Sequence, residues 1–108
     1  GSIMFKVQDI YTGTLDANSQ LIQGVAGARV KLQNEEVLTE EYTLNTDGVG
    51  EAYFTGIPAG HYKCRITAND HQEYIGRGWI KPGISANEDV FLEYNLVTVE
   101  WKVNEITI

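Results

Sequence analysis

Asn45-Thr46-Asp47-Gly48, Gly50-Glu51-Ala52-Tyr53-Phe54 and Gly56-Ile57-Pro58-Ala59-Gly60-His61-Tyr62 follow one another as turn, alternating segment and second turn. Asp-Gly favours a tight reversal, because glycine reaches positive φ without steric penalty and the Asp side chain bonds its own backbone. Pro58 fixes its φ and Gly60 frees the next, so two strands meet at a defined angle. Gly48 and Gly60 are therefore both expected at positive φ.

Period-two alternation continues on both sides of this run. Ile3, Phe5 and Val7 alternate with Met4, Lys6 and Gln8. Ala28, Val30 and Leu32 point inward, with Arg29, Lys31 and Gln33 outward. Tyr42 and Leu44 face in before the Asp47-Gly48 turn, and Ala52 and Phe54 after it. Residues 61–69 form the cleanest strand, 74–81 a twisted and glycine-broken one, and 88–94 another with Val90, Leu92 and Tyr94 on one side. Leu96 to Val103 places Val97, Val99, Trp101 and Val103 against Thr98, Glu100 and Lys102. Residues 34–41 hold helix formers but are too short to stand as a helix, so a loop or hairpin extension is expected there. Residues 15–23 read as a polar connection. Ala28, Val30, Leu32, Phe54, Tyr62, Cys64, Ile66, Val90 and Leu92 are expected in one core cluster. The pattern predicts an all-β sandwich or barrel of seven to eight short strands.

At 108 residues the chain fits a single module, residues 1–108, with one core. Gly1-Ser2 reads as a cloning scar, and residues 95–108 as an added strand or the connector to a following domain. A net charge of −7 repels phosphate backbones and anionic lipid, which argues against nucleic acid as a partner. No apolar stretch approaches the ~18 residues of a bilayer span, so membrane insertion is not expected. Cys64 is the sole cysteine and shares a face with Tyr62, Ile66 and Ala68, where a thiol serves as a small buried hydrophobe.

With Gly24-Val25-Ala26-Gly27-Ala28-Arg29-Val30-Lys31-Leu32 added upstream, the opening motifs resemble the carboxypeptidase regulatory-like domain and the collagen-adhesin B-type repeat. The resemblance runs from residue 10 to about 94. It departs at Asp70-His71-Gln72-Glu73-Tyr74, where the family usually has a glycine-tyrosine pair. It implies an antiparallel immunoglobulin-like β-sandwich of transthyretin or prealbumin type. It further implies a non-catalytic structural or interaction module of a larger secreted or cell-surface protein. The expected partners are neighbouring domains of the same polypeptide, or an extracellular protein or glycan.

The candidate chemistry is sparse. The adhesin repeats often close a lysine–asparagine isopeptide bond beside a buried acid. Lys6 and Asn104 fill the two roles by position, but Ile66 stands where the acid is required, so no bond is expected. The transthyretin-type hydrolase ends in a Tyr-Arg-Gly-Ser tail that this chain lacks, and His61 and His71 read as surface residues. A cleft joining both to Arg65 or Arg77 would revive a hydrolase. Asp16, Asn18, Asp47, Asp70, Glu88 and Asp89 follow no calcium-loop spacing. No catalytic residue, metal or cofactor is assigned. Tyr74, Trp79 and Trp101 are the glycan-contact candidates of a carbohydrate-binding alternative, although Trp79 keeps period with Ile75 and Trp101 with Val97 and Val99, which suits packing.

Overall fold

A computed structural model of the chain describes residues 1–95. Its strands are β1 (Ser2–Gln8), β2 (Arg29–Asn34), β3 (Glu41–Asn45), β4 (Glu51–Phe54), β5 (Gly60–Thr67), β6 (Tyr74–Ile80) and β7 (Ser85–Phe91). They form a sheet ordered β4-β1-β7 and a second ordered β3-β2-β5-β6. This is the expected all-β sandwich. The expected eighth strand, from Leu96 to Val103, lies outside the described residues.

The apolar phases of β1, β2, β4 and β5 fill the space between the sheets. Phe5 and Val7 come from β1, Val30 and Leu32 from β2, Ala52 and Phe54 from β4, and Tyr62, Cys64 and Ile66 from β5, all buried. Phe5 and Phe54 meet edge to face at 5.9 Å. Every residue expected in the core cluster lies within it. Tyr62 also anchors the Pro58 turn, donating its hydroxyl to the Pro58 carbonyl at 2.7 Å.

Several expectations need correction. β1 and β7 pair in parallel from Ser2·Ser85 to Gln8·Phe91. Alternation fixes which face a side chain takes and carries no information on strand direction. The last described strand begins earlier than residue 88 and ends at Phe91. Leu44 is 40% exposed, because β3 is an edge strand and Leu44 lines a shallow hollow with Tyr42 and Tyr53 at the opening toward β4. Between β2 and β3 the Asn34 side chain accepts from the Glu36 and Val37 N–H groups, closing a turn in place of a helix. Residues 15–23 fold into a small hairpin whose Leu15 and Leu21 bridge.

Positive φ falls at Gly50 (+82°) and Gly60 (+156°), and Gly48 is not among the positive-φ glycines. The Asp47 carboxylate accepts from the Val49 and Glu51 N–H groups and its carbonyl from Gly50 N–H, so the left-handed residue is the one closing the turn. A Cβ on Gly50 would stand 2.6 Å from the Val7 carbonyl oxygen and 2.8 Å from Gly24 Cα, whereas one on Gly48 meets nothing within 4 Å. Gly50→Ala is therefore expected to lower stability by more than ~1 kcal/mol, and Gly48→Ala to stay within ~0.5 kcal/mol of the parent, read from urea melts. Phe54→Ala is expected to lower stability by ~3–5 kcal/mol in the same measurement.

Candidate functional site

Among the described residues, the outer face of the four-stranded sheet concentrates nearly all the lysines and arginines. Outward positions are Arg29, Lys31 and Gln33 on β2, His61, Lys63 and Arg65 on β5, and Ile75, Arg77 and Trp79 on β6, with Lys81 just beyond. Among the described residues Lys6 is the only other lysine or arginine. An acidic protein thus carries one basic face.

Register makes that face electrostatically costly. Lys31 stands directly opposite Arg65, and Lys63 directly opposite Arg77. Like charges opposite one another across a sheet are destabilising. Three carboxylates relieve part of it, with Arg77 Nε 3.1 Å from Glu35, Arg65 Nε 3.3 Å from Glu73 and Lys31 Nζ 3.4 Å from Glu41. Such exposed pairs contribute little each. Arg29 and Lys63 have no carboxylate partner among the described residues. Lys31, Gln33, Lys63 and Arg65 surround a dimple of about 60 Å³.

Trp79 lies beside this basic patch. The period it shares with Ile75 is real, but the shared side is the outer one: Trp79 is 59% and Ile75 50% exposed. Packing in the core is overturned for Trp79, because Ile80 takes the inward phase of β6. The ring stacks on His61 with centroids 5.3 Å apart, and Lys81 Nζ lies 5.2 Å from the ring centroid. Tyr74 is half-buried and packs against the core, so it does not join Trp79. Trp101 lies outside the described residues.

A second cluster forms at the opposite end of β5. Asp9, just past β1, accepts from the Tyr11 N–H at 2.8 Å and the Thr12 N–H at 3.1 Å through Oδ1. Its Oδ2 accepts from the Tyr94 hydroxyl at 2.9 Å and lies 2.9 Å from His71 Nε2. Burial alone would push the Asp9 carboxyl up; the bonds from His71, Tyr11 and Tyr94 outweigh it and hold it below the usual carboxylate range. Burial first, then the Asp9 carboxylate, pushes the Tyr94 hydroxyl up to about 12. The expectation that His71 is a surface residue is overturned, since its side chain is only 7% exposed. Its other ring nitrogen lies 2.6 Å from the Asn69 carbonyl oxygen.

His61 and His71 do not share a cleft, because roughly 20 Å of extended β5 separates them. Cys64 lies in the wall of a cavity of about 100 Å³ between β6 and β7, and burial pushes its thiol up, away from the reactive thiolate. Lys6 Nζ donates to the Val49 carbonyl at 2.6 Å and lies 3.6 Å from Glu51, while Ile66 is fully buried. Asn104 lies outside the described residues.

No family profile matches the chain, and no curated protein does. Among solved structures it is similar to the Bacillus anthracis TIE protein, at a TM-score of 0.63 and 16% identity over 87% of this chain and 16% of that one. The likeness concerns the fold, and the chain spans about a sixth of that protein's length.

The Asp9 cluster ties three segments together, and its sign with pH follows from its depressed carboxyl. Stability it contributes is fully present above the unfolded value near ~3.9 and is lost as pH falls through the folded value. Compared with Asp9→Asn, the parent is expected to be more stable at pH 5, with that advantage shrinking steadily toward pH ~2 in urea melts. A constant difference across that range would show that the carboxylate's charge contributes nothing.

Proposed function

We propose that the chain is a non-catalytic structural and interaction module of a larger secreted or cell-surface protein, and that it meets its partner through the outer face of the four-stranded sheet. The observation that carries this reading is the segregation of charge. Arg29, Lys31, Lys63, Arg65, Arg77 and Lys81 share one face of a protein with net charge −7. Scattering them would relieve the repulsion of Lys31·Arg65 and Lys63·Arg77 and improve the fold. Keeping them together serves an encounter with an anionic surface, since a patch of one sign steers association. Supporting the module reading, the structural likeness reaches only part of a longer protein.

The carbohydrate-binding alternative gains from one observation, the exposed Trp79 ring braced by His61 at the end of the basic face. An aromatic plane held rigid by a neighbour suits a sugar or another flat group.

If the face serves binding more than folding, removing its repulsion should stabilise the protein. Lys63→Glu places an acid opposite Arg77 and is expected to raise stability by ~0.2–1 kcal/mol, measured by thermal and urea melts at low salt. A clear loss of stability would mean that Lys63 supports the sheet, and the interaction reading would lose its main support.

A further inference from the structure

Resting on the reading of this face as an interaction surface, we propose that it binds an acidic polysaccharide, a chain of sugar rings bearing carboxylate or sulfate groups. One oxyanion would enter the dimple between Lys31, Lys63 and Arg65, and a ring further along the chain would stack on Trp79. The site has three matched parts. The dimple of about 60 Å³ is lined by three cations and by Gln33, whose amide N–H groups are held by the Leu38 carbonyl and Glu41, so the Lys31, Lys63 and Arg65 cations are the donors it offers to a single oxyanion. Arg77 and Lys63 form the next row, and His61 and Trp79 the row beyond, at intervals of about 7 Å along the strands. These rows form one continuous track from charge to aromatic ring. Lys81, over the Trp79 ring, is a flexible cation that a sugar can displace while the ammonium stays within reach of the chain's charges.

The rim separates a glycan from other polyanions. Glu35, Glu41 and Glu73 edge the track, and carboxylates only accept hydrogen bonds at neutral pH. Sugar hydroxyls donate to them. A DNA backbone has no free sugar hydroxyls to donate, so its phosphates would meet those edges with repulsion and no compensating hydrogen bond. An acidic peptide satisfies the cations but gives Trp79 no dedicated role.

The decisive measurement is calorimetric titration of the 108-residue chain with polygalacturonate, its methyl-esterified form, dextran sulfate, poly-L-glutamate and oligo-dT. Polygalacturonate or dextran sulfate is expected to bind with affinity falling as salt rises, the two arms telling carboxylate from sulfate. The neutral methyl ester is expected to bind roughly tenfold or more weakly, and Trp79→Ala and Lys63→Glu each to lose roughly tenfold or more. Tyr53→Ala, on the outer face of the other sheet, is expected to bind as the parent does. Circular dichroism of each variant confirms folding, with Trp79→Phe as a milder substitute that should retain most of the affinity.

Failure to bind either acidic glycan overturns the proposal. Binding poly-L-glutamate as well as polygalacturonate with Trp79→Ala unaffected overturns it in favour of an acidic peptide. Preference for oligo-dT overturns it in favour of single-stranded nucleic acid. Each of these leaves the interaction reading standing if Lys63→Glu stabilises the fold, so the two failures are distinguishable.

Discussion

The side-chain period of β5 is the constraint on which the rest of the molecule depends. This strand is paired on both sides, to β2 and to β6, and each of its residues is committed to one of two faces. Tyr62, Cys64 and Ile66 enter the core, while His61, Lys63 and Arg65 enter the outer face. A slip of one residue would move Lys63 and Arg65 between the sheets and Ile66 into water, so the core enforces the register. The charged face is consequently held in place by an apolar core that none of its own residues joins. Mutations on one side of β5 should therefore leave the other side's chemistry intact.

That separation explains how an acidic protein sustains a basic surface. The carboxylates of Glu35, Glu41 and Glu73 pair with three of the cations at separations of 3.1 to 3.4 Å. They lie at the rim and leave the dimple between Lys31, Lys63 and Arg65 accessible. Most of the remaining carboxylates belong to loops and the other sheet, so the molecule has a marked charge asymmetry. In a field of that kind an anionic partner is oriented before contact, with the basic face leading. Net charge is a sum over the chain and carries no information on this arrangement.

The sequence carried the fold where geometry is local. Alternation placed Val30, Leu32, Phe54, Tyr62 and Ile66 correctly, because side-chain direction in a strand depends only on its own pleat. It failed where two strands had to be related. The parallel β1–β7 ladder, the exposed Leu44 on an edge strand and the outward phase of Trp79 all depend on which elements are neighbours. The basic face was half visible: Arg29 and Lys31 read as outward on β2, and Lys63 and Arg65 fell on the polar phase of β5. That they lie side by side follows from the β2–β5 register, which no single strand encodes.

Asp9 shows the same limit from the other direction. Its turn was open to reading, since an Asp followed three residues later by Thr12 is suited to capping its own backbone. Its remaining partners, His71 and Tyr94, lie 62 and 85 residues away, beyond any local signal. The connection after β5 passes through Asp70 at φ +62°, a left-handed conformation that Asp tolerates better than most residues. It brings His71 over the end of β1, where Tyr94 tilts against the imidazole at 4.1 Å and Tyr11 meets Tyr94 edge to face at 5.3 Å. One buried carboxylate thereby joins the exit of β1, the β5–β6 connection and the segment after β7, which come from different sheets. With every one of these contacts directed to a partner within the chain, the cluster functions as a clasp at one end of the sandwich. At the far end of β5, by contrast, His61 and Trp79 stack on one another on the exposed outer face, beside the cations.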